Sequence, residues 1–406
     1  MTRKRSRYLF YAHDGQGLGH LRRNLAIASS LTDLDPRASV LMTAAPLDVS
    51  RLCVPDHVDI LALPGLRKVA NGRYMGRRLT IPGGEVRAVR SALLGAAVES
   101  FKPGVVLADK HPLGVRGELR GALEALRVQG GRAALGLRDV LDAPATVRAE
   151  WDRSGLGSQV VRYFDRVLVY GSRAVLDPVE EYGLGPRVAE LTEFCGYVLN
   201  DGDRFCRAGD GAALPVGGKR PVILATVGGG EDGRPLLEAF IDAARDAAWD
   251  GIVVAGPLAA ARDARVLRRR AQSAGVAFYG VVPALTRWLD RVDALVCMGG
   301  YNTMAEAVSR GTPTVCVPRT RPRVEQLIRA RAFARLDLSR VLEPGRLTAD
   351  TLRREVEAVL GSSRRTRAAR AASVLGFDGA RRAARHLVEL AQADRKAPAP
   401  RLRSVA

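Results

Sequence analysis

Short apolar runs recur along this chain, each followed by a stretch whose apolar positions return at helical spacing. In the first half, runs at 7–13, 39–43, 58–63, 104–108, 132–137, 166–170 and 191–197 predict strands, and 20–31, 85–101 and 117–128 predict helices. The alternation predicts a parallel sheet covered on both faces. The second half repeats it, with strands at 221–226, 251–255, 276–279, 294–297 and 314–317. Helices are expected there at 235–247, 259–274, 285–289, 303–310, 325–334, 348–360 and 381–394. Between the halves, 199–219 turns to Gly, Asp, Ala and Pro without a long apolar run, which reads as a linker. The expected fold is therefore α/β, with two Rossmann-like domains at 1–198 and 220–375 facing each other across a cleft. Open α/β sheets bind ligands beyond the carboxyl ends of their strands, so both domains present loops to that cleft.

A length of 406 residues with 47% hydrophobic composition supports two such cores. No apolar run approaches the length that spans a bilayer. The run Tyr8-Leu9-Phe10-Tyr11-Ala12 is too short for a signal-peptide core, so a cytosolic protein is expected. Cys53, Cys195, Cys206, Cys297 and Cys316 show no metal-ligand spacing and read as buried thiols. The formal charge of +20 raises the question of a nucleic-acid partner. The excess is almost all Arg, is spread along the chain, and has no basic stretch interleaved with stacking aromatics. No nucleic-acid partner is therefore expected. A basic surface also suits an anionic lipid headgroup or polyanionic acceptor, so a peripheral contact with the inner membrane face is an expectation.

Candidate chemistry lies in the loops after strands. Gly299-Gly300-Tyr301-Asn302-Thr303 joins a strand to a helix start, where free N–H groups and the positive dipole end suit a phosphate. Glu306, one turn inside, suits ribose hydroxyls; the plainer reading is a Gly turn with an Asn/Thr cap. Gly15-Gln16-Gly17-Leu18-Gly19-His20 follows the first strand, but no acid follows the second strand near Thr43, which argues against NAD. His20 at the tip of such a turn is a candidate base, or else a helix cap. Asp109, after the fourth strand, would orient it or pair with Lys110 or Arg116; Arg138-Asp139 is a competing source of an acid. Gly228-Gly229-Gly230 follows the first strand of the second half and can form an anion nest, or a flexible loop. Arg319, Arg321 and Arg323 supply charge for a diphosphate ahead of Glu325-Gln326. Asp201-Gly202-Asp203 has metal-like spacing but lies in the linker, so no metal and no cofactor is expected.

The 297–306 segment resembles the nucleotide-sugar signature of GT-B glycosyltransferases, close to the His-Cys-Gly-Trp-Asn-Ser-x-x-Glu core of the UDP-glycosyltransferases. Tyr301 falls on the Trp, Asn302 on the Asn, Thr303 on the Ser and Glu306 on the Glu, while Met298 replaces the leading His. The segment is also similar to the lipid-linked N-acetylglucosaminyltransferase of peptidoglycan synthesis, which lacks that His too and has a Gly-Gly-Ser loop where Gly228–Gly230 stand. The Gly-His-x-x-Arg of the first loop resembles that of UDP-glycosyltransferases, whose His deprotonates the acceptor and whose Asp bonds that His. It also resembles a GT-B hydrolase of pseudaminic-acid synthesis. Overall the chain looks most like bacterial predicted glycosyltransferases.

The resemblance implies GT-B architecture, with the 376–394 helix crossing back to the first domain and 395–406 a disordered tail. It implies transfer of a sugar, UDP-linked by preference, from a nucleoside diphosphate to a hydroxyl of a small-molecule, lipid-linked or saccharide acceptor, inverting and without metal. His20 and Asp109 become the catalytic pair. The donor contacts become Gly17, Gly19, Gly228, Gly229, Gly230, Val282, Gly300, Tyr301, Asn302, Thr303, Glu306, Arg319, Glu325 and Gln326. The basic loop at 66–82, with Arg67, Lys68, Arg73, Arg77 and Arg78, falls on the acceptor side or is simply solvated. A nucleotide-sugar hydrolase, a GT-B epimerase and a non-catalytic nucleotide-binding protein are the alternatives.

Overall fold

The computed structural model describes residues 6–12, 19–44, 54–68, 74–200, 214, 218–230 and 232–393. The first unit carries β1 (Arg7–Ala12), β2 (Ser39–Ala44) and β3 (Val58–Ala62), then a separate antiparallel hairpin of β4 (Leu66–Lys68) and β5 (Tyr74–Gly76). It continues with β6 (Val105–Asp109), β7 (Arg132–Arg138), β8 (Arg166–Tyr170) and β9 (Thr192–Phe194). Seven of these form one parallel sheet in the order β3-β2-β1-β6-β7-β8-β9. The central strand β6 is buried along its whole length, which is why it reads as an unbroken apolar run and not as an alternation.

The second unit repeats the plan with β10 (Val222–Thr226), β11 (Asp250–Val254), β12 (Ala277–Tyr279), β13 (Ala294–Cys297), β14 (Thr314–Cys316) and β15 (Arg340–Val341). Their order is β12-β11-β10-β13-β14-β15, also parallel. The order reverses between β1 and β6 in the first sheet and between β10 and β13 in the second. At such a reversal the flanking connections diverge to opposite faces and leave a crevice. The loops of His20, Asp109, Gly228–Gly230 and Gly300–Thr303 follow these four strands, and Arg319, Glu325 and Gln326 follow the neighbouring β14.

The C-terminal helix Gly379–Gln392 packs on the helix Gly19–Leu34 of the first unit and on β6 and β7. Its buried side, Ala383, Ala384, Leu387 and Leu390, recurs at helical spacing. The chain is fastened where it returns: Tyr197 N–H donates to the Gly376 carbonyl at 2.9 Å, and Gly379 N–H to the Tyr197 carbonyl at 3.1 Å.

Several elements lie where the sequence pattern gave none. The helix Arg364–Leu375 buries only Ala371 and Leu375, so it carries no broad apolar stripe. The two-residue β15, the β4–β5 hairpin and the helices Pro144–Ser154 and Leu156–Tyr163 are short or split by Gly155. The helix expected from 303 begins at Tyr301 with Gly300 as its N-cap and no side-chain cap, so neither Asn302 nor Thr303 caps it. Gly17, Asp201-Gly202-Asp203, Arg73, Cys53, Cys206 and the 395–406 tail lie outside the described residues. No described helix is long and apolar enough to cross a membrane.

Candidate active site

In the first sheet Ala12 pairs with Asp109, so the loop after β1 and the end of β6 are neighbours. His20, in the first turn of the helix that this loop opens, places Nδ1 2.8 Å from Asp109 Oδ2. Arg23, one helical turn on, bonds both Asp109 oxygens through Nη2, at 2.8 and 2.6 Å. Nη2 also stands 2.8 Å from His20 Nδ1. A carboxylate accepts only, so a proton on Nδ1 is the state that makes the His20–Asp109 contact a bond. That leaves the Nε2 lone pair as the basic site.

Burial lowers the His20 pKa to about 3; Asp109 opposes this, while Arg23 and Arg138 add to it. For Asp109 burial works upward, yet Arg23 and His20 outweigh it and hold the carboxyl well below its usual range. At neutral pH the pair is a neutral imidazole against a carboxylate. The folded histidine thus has a lower pKa than the unfolded one, so its contribution favours folding above about pH 6.5 and is lost as pH falls below that. NMR of the imidazole is expected to show the neutral Nδ1–H form from pH 8 down to pH 5. A titration centred near the ordinary histidine value would contradict this.

Across the cleft, the turn after β13 brings Gly299, at φ +83°, over the buried Cys316, where a Cβ would lie 2.9 Å from the sulfur. This close approach and left-handed backbone require glycine. The helix Tyr301–Ser309 then points its N-terminus into the cleft. Asn302 Nδ2 reaches the Gly19 carbonyl at 3.5 Å, and a Cβ on Gly19 would sit 3.4 Å from that same nitrogen. The helix that opens after the first loop and the Tyr301–Ser309 helix of the other unit therefore touch. Thr303 is half-buried, and Asn302 Oδ1 is buried without a partner. In the turn after β10, Gly228 and Gly229 are exposed, and Gly230, at φ +97°, packs against the Ala255 carbonyl.

Arg319 ties together the candidate residues after β14. Its Nη1 bonds Asp232 at 3.0 Å, its Nη2 bonds Glu325 at 3.1 Å, and its backbone N–H donates to Gln326 Oε1 at 3.2 Å. Glu325 is buried, and its Oε2 has no hydrogen-bond partner. Val282 is buried and its side chain belongs to the main apolar core, which leaves only its backbone to read a ligand.

Two expected contacts differ. Tyr301 is not open to the cleft: it is buried, stacks on Tyr197 with centroids 5.3 Å apart, and accepts the Val198 N–H on its hydroxyl at 3.0 Å. Arg23 and Arg329 cover its ring at 5.5 and 5.7 Å. It packs the seam between the units, where the return of the chain at Tyr197 covers the ring that was expected to contact the donor. Glu306 is also mostly covered. Its Oε1 accepts the Asn200 amide at 3.0 Å, and burial raises its pKa despite that bond.

The sequence reading missed the seam itself. Asp139, considered as a partner for His20, instead receives Arg329 Nε and Nη2 at 2.7 and 2.6 Å and the Tyr197 hydroxyl at 2.8 Å. Arg329 and Asp139 are both fully buried, and Arg329 Nη1 also holds the Gly299 carbonyl at 3.1 Å. Asn200 was missed too, and Arg23 was named only as the last residue of Gly-His-x-x-Arg, without a role. Only Arg23 carried a signal, its position one turn after His20 on the same helix face.

No family model matches the chain. Over 372 residues it is 28% identical to the UDP-N-acetylglucosamine–N-acetylmuramyl-(pentapeptide) pyrophosphoryl-undecaprenol N-acetylglucosamine transferase of Mycobacterium bovis, covering 88% of this chain and 83% of that one. A stretch of 146 residues is 33% identical to the demethyllactenocin mycarosyltransferase of Streptomyces fradiae, covering 36% of this chain and only 30% of that protein. The solved UDP-glucose: anthocyanidin 3-O-glucosyltransferase in complex with UDP superposes with a TM-score of 0.61 at 14% identity, over 96% of this chain and all of that one. The fold is GT-B, and the chain is a glycosyltransferase of that class.

Proposed function

We propose that this enzyme moves a sugar from a nucleoside-diphosphate sugar, UDP-linked by preference, to an acceptor hydroxyl, with inversion and without a metal ion. The observation that carries the reading is the meeting of the two crevices: the His20–Asp109 pair ends one sheet, and the glycine turn and helix N-terminus of 299–302 end the other. Nε2 of His20 takes the acceptor proton as the acceptor oxygen bonds the anomeric carbon. The bond from that carbon to the diphosphate breaks on the opposite face. The departing charge meets the N–H groups of the Tyr301–Ser309 helix, the Gly228–Gly230 amides and Arg319. Glu325 and Gln326 are assigned to sugar hydroxyls, and Glu306 to the ribose. The UDP preference follows the M. bovis relative and the UDP-bound neighbour.

The acceptor side is the first unit, where the hairpin and the residues just after it expose Arg67, Arg77 and Arg78 beside the exposed apolar Met75 and Leu79. That mixture suits peripheral contact with an anionic membrane face and a lipid-linked acceptor, alongside small-molecule and saccharide acceptors.

Titration calorimetry with UDP, GDP and dTDP tests the donor half. Glu306→Ala is expected to weaken binding of the preferred diphosphate by about 1–3 kcal/mol, the scale of a lost hydrogen bond to a buried or charged partner. Unchanged affinity in a folded variant would remove Glu306 from the site.

A further inference from the structure

Two cations in the cleft have no part in the reaction described above. Lys110 follows the last residue of β6, and Arg138 ends the adjacent β7. Arg138 lies within electrostatic reach of His20, and both cations lie within reach of Glu325 across the cleft. Lys110 and Arg138 are half-buried, whereas the fully buried cations of the first unit and its seam are matched: Arg23 by Asp109, Arg90 by Glu118 and Arg329 by Asp139, each at 2.6 Å. Neither Lys110 nor Arg138 has such a carboxylate among the described residues, and Arg138 Nε is buried with no hydrogen bond. Glu325 lies within electrostatic reach of both but bonds neither: its Oε1 takes Arg319 and its Oε2 has no hydrogen-bond partner.

Burial, then Arg138 and Arg323, bring Lys110 down to about 7; burial, then Arg23 and Arg329, bring Arg138 down to about 10. Adjacent desolvated cations are costly unless an anion completes them.

We propose that Lys110 and Arg138 form an anion subsite on the acceptor side of the cleft, so that the acceptor carries a phosphate or carboxylate near the hydroxyl that is glycosylated. The inference rests on the donor–acceptor reading above. Position favours the acceptor over the donor diphosphate: both cations project from the sheet that carries His20, while the phosphate-binding turns belong to the other sheet. An anion held there also offsets the repulsion that Arg138 exerts on a protonated His20, so acceptor binding strengthens the base.

The test is calorimetry on the full chain saturated with its preferred nucleoside diphosphate, using inorganic phosphate, pyrophosphate and acetate as probes. At least one is expected to bind, and Lys110→Gln with Arg138→Gln is expected to weaken that binding by about tenfold or more, with nucleotide affinity unchanged. Binding of the phosphate probes alone assigns a phosphorylated acceptor, and binding of acetate alone a carboxylate. Absence of anion binding to the saturated wild type overturns the proposal. So does an equal loss of nucleotide affinity in the variant, which would give the cations to the donor. Thermal unfolding is the second measurement: removing unmatched charge is expected to hold or raise the midpoint, and a fall would make the pair structural. If no nucleotide binds the wild type, the donor reading fails on its own, and the same anion titrations on the free chain still decide the subsite.

Discussion

His20→Ala is expected to reduce turnover by about 10²–10⁴-fold, the usual contribution of a general base, while leaving nucleoside-diphosphate affinity nearly unchanged. The two effects separate because the proposed base and the turns proposed to bind phosphate belong to different sheets, joined near His20 by the Asn302–Gly19 contact. Asp109→Asn has a mixed consequence. It leaves the imidazole a weaker acceptor for its Nδ1–H, and it strips Arg23, fully buried, of its counter-charge. Its turnover loss is therefore expected to come with a large loss of stability, whereas His20→Ala, at a side chain 13% exposed, leaves Arg23 on both Asp109 oxygens and should cost little stability beside its turnover. Steady-state kinetics on both variants, with nucleotide titration alongside, makes the comparison. If His20→Ala abolished nucleotide binding while bound donor still turned over, His20 would be a ligand contact and not the base. Product analysis of the wild type belongs with this test. Free sugar released without acceptor would assign the proton transfer to a water molecule.

Much of the frame was legible because parallel strands buried on both faces are written as continuous apolar runs. β8 and β13 fall at 166–170 and 294–297, as the sequence pattern places them. The positions of the candidate loops followed, since chemistry in this architecture sits after strands. The pattern alone left two acids for His20, Asp109 at the end of β6 and Asp139 just after β7; the resemblance favoured Asp109, and the pairing of Ala12 with Asp109 is what sets that carboxylate beside His20. The contacts of the seam were out of reach for a similar reason. Asp139 and Arg329 are 190 positions apart, and Asn200 and Glu306 are 106 apart. Tyr301 shows the cost of reading by motif alone. Its place in the signature implied a ligand contact, but the chain's return at Tyr197 packs a ring against it.

The seam leads to the largest expected effect on stability. Arg329 places three of its nitrogens on Asp139 and the Gly299 carbonyl, all in full burial. Burial opposes its charge, but Asp139 outweighs burial and raises its pKa above the ordinary arginine value. Removing one partner of such a pair leaves the other charge desolvated, which costs about 3–5 kcal/mol. Arg329→Met is therefore expected to lower unfolding free energy by that amount in denaturant titration. Asp139→Leu alone should do similar damage, because it also orphans the Tyr197 hydroxyl. The double substitution should recover part of the loss, since an apolar pair of similar volume removes both charges at once. Recovery stays incomplete because the Gly299 carbonyl and the Tyr197 hydroxyl lose donor and acceptor together. A functional consequence separates this pair from a merely structural bridge. Arg329 holds the carbonyl of the glycine turn that precedes the Tyr301–Ser309 helix, so under the proposed donor site the folded double variant should bind nucleoside diphosphate more weakly than wild type. Full nucleotide affinity in that variant would show that the turn keeps its shape without Arg329, and would confine the pair to joining the two units.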